Sequence, residues 1–185
     1  MIRRNPRGDW PTIAETAFID PTAIICGLVI IEEDVFVGPY AVIRADETDE
    51  NGGLQPIRIG GATNIQDGVV IHSRSGEAVT IGRRTSIAHR SIIHGPCTIG
   101  DDVLCWLQLG RVQLHDWRRL GDTSQFSEGC YLPAGFHVPS TTTVHSDSDL
   151  ANIPQVTIDM TTFSEHVART NVGHAHDYRK LRNDF

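Results

Sequence analysis

The chain has 185 residues, 39% of them hydrophobic, and a formal net charge of −7. This length suits one domain with a sizeable core, and the negative balance argues against a nucleic-acid-binding surface. The longest apolar run, 23–31, is too short to span a bilayer, and residues 1–10 lack the apolar stretch of a signal peptide. We therefore expect a single domain over residues 1–185 that acts on neither nucleic acid nor membrane.

A large apolar residue recurs at every sixth position through most of the chain. These positions are Ile13, Ile19, Ile25, Ile31, Val37, Ile43, Ile59, Ile65, Ile71, Ile81, Ile87, Ile93, Ile99, Leu114, Leu120, Phe126, Leu132, Val138 and Val144. Many are preceded, two residues earlier, by a small side chain: Ala17, Ala23, Ala41, Thr63, Thr85, Ser91 and Cys97. A six-residue period of this kind is typical of a parallel β-helix with three short strands in each coil. We predict such a β-helix over 12–145, with large aliphatic residues along its axis and small residues at its corners.

Insertions interrupt the repeat at 47–56, at 73–78 and near 108–112. The first is acidic and contains glycines, so a surface loop is expected. Cys97, Cys105 and Cys130 all occupy small or aliphatic positions of the repeat. We interpret them as core thiols, which fits a reducing cytoplasmic location.

The pattern changes after Pro154. Thr162 followed by Glu165 predicts a capping box at the start of a helix. Residues spaced by three and four then follow, namely Phe163, Val167, Asn171, His174, Tyr178 and Leu181. This spacing predicts a helix over 160–183 that docks this stripe against the flank of the β-helix.

Three of the nine histidines come together once the repeat is folded. His72 follows Ile71 and His94 follows Ile93, one full coil later, so the two should stack on neighbouring rungs of one face, about 4.8 Å apart. Two imidazoles at this separation can share a metal ion. His89 should lie on a different face, where only a neighbouring chain around a threefold axis brings it to the same metal.

The same stacking rule places polar residues beneath these histidines. Arg44 should lie one coil below His72, and Asp67, with Gln66 beside it, one coil below His89. Pressed together across an interface, Arg44 and Asp67 could form an ion pair, which would compensate the arginine charge near a cation. An ion pair of Arg44 with Asp46 or Asp67 could also be a purely structural contact of a trimer. Such a contact is compatible with a metal site and with its absence.

A single outward histidine on a β-helix is usually only solvated. We interpret the other six histidines in that way: His115, His137, His145, His166, His174 and His176.

With these residues in place, the chain resembles the gamma-class carbonic anhydrases. The matching segments are IRADE (43–47), NIQDGVVIH (64–72), SIAHRSIIHGPCTIGDD (86–102), YLPAG (131–135) and, more weakly, TNV (170–172). The resemblance implies a left-handed parallel β-helix of hexapeptide repeats with a C-terminal α-helix on its flank. It also implies a homotrimer with one metal ion, Zn²⁺ or alternatively Fe²⁺ or Co²⁺, at each subunit interface.

The resemblance further implies roles for individual residues. The metal ligands would be His72, His89 and His94. Arg44, Asp46, Asn64 and Asp67 would stabilise the interface and the surroundings of the metal. Gln66 would orient the metal-bound hydroxide, Glu47 would handle protons, and Asn171 would contact the substrate from the helix.

Two features depart from the pattern of the family. The best-known branch has a long acidic loop after the first ligand histidine, with a proton-shuttling glutamate, whereas here only 73–78 is present and Glu77 is its substitute. In addition, Trp106 and Leu107 stand where the family often has a small glycine and a methionine. This bulky pair could narrow the site or pack the interface, and we favour packing.

The resemblance implies reversible hydration of carbon dioxide to bicarbonate by metal-bound hydroxide. Three neutral imidazoles leave the ion positively charged, which lowers the pKa of bound water toward about 7. Three alternatives stay open: an acyltransferase that uses coenzyme A and one histidine as general base, a metal-binding assembly subunit with little hydration activity, and a metal-hydroxide enzyme for another small substrate. A general base needs no stacked histidine companions, which argues against the acyltransferase.

Overall fold

A computed structural model describes residues 1–109, 113–114, 118–126, 131–132, 134–139, 141–144 and 147–182. In chain order the strands are β1 (Ile2–Arg3), β2 (Thr12–Ile13), β3 (Phe18–Ile19), β4 (Ile24–Gly27), β5 (Val29–Ile31), β6 (Phe36–Val37), β7 (Val42–Ala45), β8 (Ile57–Ile59), β9 (Asn64–Ile65), β10 (Val70–His72), β11 (Val79–Ile81), β12 (Ser86–Ile87), β13 (Ile92–His94), β14 (Cys97–Ile99), β15 (Val103–Leu109), β16 (Gln113–Leu114), β17 (Arg118–Phe126), β18 (Tyr131–Leu132), β19 (His137–Val138) and β20 (Thr143–Val144). A 3₁₀ turn (Asp147–Asn152) and one α-helix, α1 (Ile158–Arg182), follow.

These strands form three parallel faces that wind around one axis. Face A consists of β2, β5, β8, β11, β14, β16 and β18. Face B contains β3, β6, β9, β12 and the first part of β15, and face C contains β1, β4, β7, β10, β13 and the last part of β15. The longer strands β15 and β17 turn the corner between faces B and C. The six-residue repeat therefore folds as a β-solenoid, as the sequence predicts.

The axis of the solenoid is filled by stacked isoleucines. The largest fully buried side chains among the described residues are Ile25, Ile31, Ile43, Ile57, Ile59, Ile65, Ile71, Ile81, Ile87, Ile93 and Ile99. All but Ile57 belong to the predicted six-residue series. Burial of each such side chain contributes roughly 1.5–3 kcal/mol relative to exposure, so the stack is the main source of rigidity beneath the functional surface.

Small residues occupy the corners, and two threonines there connect neighbouring coils. Thr63 Oγ1 donates to Gly82 O (2.7 Å) and accepts from Thr85 N (3.1 Å). Thr85 Oγ1 in turn donates to Gly100 O (2.9 Å) and accepts from Val103 N (3.1 Å). Because both hydroxyls are buried and satisfied, the corners hold the coils in one register.

The predicted core thiols Cys97 and Cys105 are buried and reduced, as is Cys26. Cys130 lies outside the described residues. The insertion at 47–56 forms an exposed loop with only Leu54 buried, and the irregularity predicted near 108–112 falls partly outside the described residues.

Helix α1 lies along face B and is held most firmly by aromatic contacts. Phe18 and Phe36 stack with ring centroids 5.5 Å apart, and Tyr178 lies 5.1 Å from the ring of Phe18. Ala175 is fully buried between helix and sheet. Arg179 Nη1 also donates to Thr16 O (3.0 Å). Among the described residues no helix is both long and apolar enough to cross a membrane.

The predicted docking stripe is only partly right. Asn171, His174 and Tyr178 contact face B, but Phe163 and Leu181 are 42% and 55% exposed. The most buried positions of the helix are Asn171 and Ala175. The small side chain of Ala175 lets the helix approach face B closely, while the ring of Tyr178 packs on Phe18 and Phe36.

The predicted capping box is wrong. Helix α1 begins at Ile158, so Thr162 lies inside the helix, where its hydroxyl donates to Ile158 O (3.0 Å). The cap is Thr157, whose Oγ1 accepts from Met160 N (3.4 Å). Val156 N donates to Gly135 O (2.7 Å), which fixes the chain just before this cap.

Candidate metal centre

Two histidines lie in register on neighbouring strands of face C. His72 of β10 pairs with His94 of β13 above it and with Arg44 of β7 below it. The two imidazole rings have centroids 5.7 Å apart at an interplanar angle of 79°. The side chain of His72 is only 15% exposed, whereas His94 is exposed. This register confirms the stacking that the six-residue repeat predicts.

Charged groups surround the Nε2 atom of His72. Arg44 Nη2 lies 3.1 Å from it, Asp46 Oδ1 3.5 Å and Glu47 Oε2 3.8 Å. Burial, the largest influence, lowers the pKa of His72, and the Arg44 guanidinium lowers it further. The carboxylates of Asp46 and Glu47 act in the opposite direction, but the pKa is lowered overall. His72 is therefore held as a neutral imidazole near pH 7, which is the form that binds metal.

Asp46 also contacts the arginine of this cluster. Its Oδ1 lies 3.5 Å from Arg44 Nε. On the rung below Arg44, the buried Cys26 places its Sγ 3.9 Å from Asp46 Oδ2. Burial, the largest influence, raises the pKa of this thiol, so Cys26 stays protonated beneath the charged cluster.

His89 follows β12 in the turn that leads to face C, and it is exposed. Its Nδ1 lies 3.5 Å from Asp67 Oδ2, one coil below. Arg90 N donates to Asp67 O (2.9 Å), which fixes the two turns on each other. A carboxylate at Nδ1 favours the tautomer that carries the proton there and leaves Nε2 available as a ligand.

A polar cluster lies on face B beside this turn. Asn64 and Ser86 are paired in register, and Asn171 of α1 donates to Ser86 Oγ (3.4 Å). Asn64 is 1% exposed, and neither amide atom has a hydrogen-bond partner among the described residues. Gln66 comes two residues after Asn64 and is half-buried. Its backbone N–H donates to Ile87 O (2.9 Å).

Within one chain, His72 and His94 come together but His89 does not join them. Among the residues that the structure describes, no group of three His, Cys, Asp or Glu side chains is arranged to hold a metal ion. The donor set nevertheless suits a divalent ion such as Zn²⁺, because His72 is neutral and His89 is oriented by a carboxylate.

Two contacts at the site escape the sequence analysis. Ser75 N donates to Glu47 Oε1 (2.9 Å), and Ser86 contacts Asn171. The repeat could have revealed Ser86, which precedes Ile87 as Asn64 precedes Ile65. A backbone donor such as Ser75 N–H leaves no signal in the pattern of residue types.

Four of the remaining histidines lie among the described residues, and of these His137 is half-buried on β19. His174 and His176 are exposed, as predicted, although His176 Nε2 lies 3.2 Å from Asp34 Oδ1 and the ring of His174 lies 6.3 Å from that of Phe36. His166 is exposed, as predicted. His115 and His145, like the side chains of Trp106 and Leu107, lie outside the described residues.

Comparison with known proteins supports a β-helix protein of the hexapeptide-repeat class. A hexapeptide transferase family protein from Anaplasma phagocytophilum has the same fold, with a TM-score of 0.69 and 23% identity over 96% of this chain and 98% of that one. The fold is accordingly the left-handed parallel β-helix with a C-terminal helix. No protein-family model matches the chain.

Proteins similar in sequence identify the family more specifically than the fold does. A carbonic anhydrase of Methanosarcina thermophila is 33% identical over 211 residues, which cover 97% of this chain and 81% of that protein. The carboxysome assembly protein CcmM of a Nostoc species is 29% identical over 86% of this chain, which spans only 30% of its length. The chain belongs to the gamma-class carbonic anhydrase family.

Proposed function

We propose that the chain is a metal-dependent carbonic anhydrase that interconverts carbon dioxide and bicarbonate at the interfaces of a cytoplasmic homotrimer. The observation that carries this proposal is the His72–His94 pair, in register on face C, with His72 held neutral by burial and Arg44. His89 of the neighbouring chain is the third ligand. Reduced, buried cysteines fit the cytoplasmic location.

Zn²⁺, or alternatively Fe²⁺ or Co²⁺, is the ion that this donor set would hold, one at each interface. Such an ion, held by His72, His94 and His89 of the neighbouring chain, would lower the pKa of a coordinated water to about 7 and so would supply hydroxide at neutral pH. Asp67 keeps His89 in the ligating tautomer. Arg44, Asp46 and Asn64 stabilise the surroundings of the ligands.

The other polar residues serve the substrate and the proton. We assign the amide of Gln66, which follows β9, to orienting the attacking oxygen, and that of Asn171, which donates to Ser86 Oγ of β12, to contacting carbon dioxide. Glu47, with Oε2 3.8 Å from His72 Nε2, is the more exposed of the two carboxylates beside this ligand and would accept the released proton. The side chain of Glu47 is 45% exposed, so it can pass this proton on to solvent bases.

The direct test is metal analysis of anaerobically purified protein together with a carbon dioxide hydration assay. We expect about one bound divalent ion per chain, and hydration that disappears on chelation and returns on reloading. Stoichiometric metal binding without carbon dioxide hydration in any metal form would contradict the proposed enzymatic activity.

A second candidate is an assembly subunit that binds metal but hydrates little carbon dioxide. The similarity to CcmM and the short 73–78 loop favour it. It predicts a stable, metal-loaded trimer with negligible turnover at any buffer concentration. An acyltransferase, by contrast, predicts coenzyme A binding that needs no metal.

A further inference from the structure

The column of side chains that contains His72 continues down face C to the first strand of the chain. Arg3 of β1 is in register with Cys26 of β4, Cys26 with Arg44 of β7, and Arg44 with His72 of β10. Arg3 is exposed, and its guanidinium has no hydrogen-bond or ion-pair partner among the described residues. An unpaired positive charge therefore lies at the lower end of the column.

A second column runs along the turns that lead from face B to face C. Asp20 follows β3, in register with Gly38 after β6 and with Gln66 after β9. The missing side chain of Gly38 leaves room for the next carboxylate, since a Cβ there would lie 2.7 Å from Asp67 Oδ1. Asp20 and Asp67 thus place their carboxylates along the same edge of the solenoid, on either side of the uncharged Gly38.

One oxygen of Asp20 is available to a further group. Its Oδ1 accepts from Thr22 N (2.8 Å) and from the hydroxyl of the same threonine, which holds the side chain against its own turn. No hydrogen bond or ion pair to Oδ2 occurs among the residues that the structure describes. Asp20 is therefore oriented within its chain but not neutralised by it.

The proposed metal centre fixes the height at which two chains meet. His89 of one chain would lie level with the gap between His72 and His94 of the next, so each turn from face B to face C faces the gap between its own coil and the coil below. The turn that carries Asp67, one coil lower, would then face the gap between Arg44 and His72. This height allows the ion pair between Arg44 and Asp67 that the stacking rule suggests.

The two levels below also match in charge. The turn at Gly38 faces the gap between Cys26 and Arg44 and brings no charge to it. The turn at Asp20 faces the gap between Arg3 and Cys26. Because Cys26 is fully buried, Arg3 is the side chain that can meet Asp20 there. A free guanidinium and a free carboxylate oxygen thus come to the same level.

We propose that β1 is part of the contact between chains, where Arg3 forms an ion pair with Asp20 of the neighbouring chain. This inference rests on the proposed function, because the shared metal centre sets the height of the contact. An exposed ion pair contributes little to stability, but it can select one alignment over others. Sliding one chain by one coil in either direction would leave Arg3 without a charged partner, so the pair keeps His89 level with the other two ligands.

Subunit exchange tests this contact without relying on activity. Metal-loaded trimers labelled with a donor dye are mixed with trimers labelled with an acceptor dye, and energy transfer reports how fast chains exchange. We expect Arg3→Glu to speed exchange about tenfold, because each departing chain leaves two interfaces at which repulsion has replaced attraction. Arg58→Glu, at an exposed arginine of face A, makes the same change of charge and should exchange at the wild-type rate.

A substitution at Asp20 separates the ion pair from any other effect of Arg3. Asp20→Asn removes the charge but keeps an amide oxygen that can accept from Thr22 N. Alone it should speed exchange by no more than about threefold. Combined with Arg3→Glu it should slow exchange relative to Arg3→Glu, since the repulsion is then relieved. High salt should bring all these rates closer together.

The ion pair is refuted if Arg3→Glu exchanges no faster than Arg58→Glu, or if Asp20→Asn speeds the exchange of Arg3→Glu further. Either result in a trimer that binds metal and hydrates carbon dioxide would overturn the ion pair and leave the proposed function standing. A trimer that shows the coupling of Arg3 and Asp20 but no hydration in any metal form would refute the activity and keep the contact. A monomeric wild type would refute both.

Discussion

Asp67 is exposed in a turn, yet its carboxylate contacts Nδ1 of His89 and its carbonyl accepts from Arg90. A partner at the second nitrogen orients a ligand histidine and raises its basicity. The role proposed for Asp67, which is to orient His89, rests on its position one coil below that histidine.

Removing this carboxylate should weaken metal binding. Asp67→Ala is expected to raise the metal Kd about 10- to 100-fold, as measured by competition with a chelator of known affinity. Asp67→Asn is the control, since its amide oxygen can still accept from Nδ1 and a smaller loss is expected. Equal affinity of wild type and Asp67→Ala would show that Asp67 does not orient the ligand.

His72 should make the metal-free protein less stable in mild acid. Burial lowers its folded-state pKa below 6.5, so the unfolded chain takes up the proton first as the pH falls. The stability that neutral His72 contributes is present above about pH 6.5 and is lost as the pH falls through 6.5 toward the folded-state pKa.

Denaturant unfolding of chelated wild type and His72→Gln from pH 7.5 to 5 measures this contribution. The stability difference, wild type minus variant, should decrease toward low pH. A difference that grows as the pH falls would mean that folding raises the pKa of His72.

At the level of single residues, the repeat predicts which side chains share a column. The six-residue period alone predicts that Arg44, His72 and His94 lie in one column. Direct contacts do not follow from it. The bond from Ser75 to Glu47 depends on a left-handed turn at Ser75 and Gly76, which no periodicity encodes.

Among the elements, α1 differs most from its sequence-based description. Its existence follows from the spacing of apolar residues, but its start and its contact face do not. The cap is one residue before the helix, at Thr157, and the most buried helix positions are Asn171 and Ala175 rather than Phe163 and Leu181. Packing against the Phe18–Phe36 pair decides the rotation of the helix, and this pair is distant in sequence.

The aromatic contact should therefore dominate the docking of α1. Phe36→Ala is expected to cost about 3–5 kcal/mol of stability, because Phe36 is 9% exposed between Phe18 and Tyr178. Leu181→Ala, on the exposed side of the same helix, should cost less than about 0.5 kcal/mol. Denaturant unfolding of both variants measures these costs, and equal losses would contradict the docking face described above.

At the scale of the whole molecule, the proposed metal centre divides into two half-sites on one chain. Face C carries His72 and His94, and the turn between faces B and C carries His89. The rigid isoleucine stack keeps these surfaces apart, so flexing one chain does not unite them. In the proposed trimer, each head-to-tail interface would join one half-site of each kind.

Mixed trimers test this central claim most directly. His72→Ala and His89→Ala chains should each bind little metal alone, but every trimer that contains both has one intact interface. Random mixing should therefore restore about one quarter of the wild-type metal content per chain, with matching hydration activity. Thoroughly mixed trimers that recover no metal, or His89→Ala trimers that keep their full metal content, would contradict a site shared between chains.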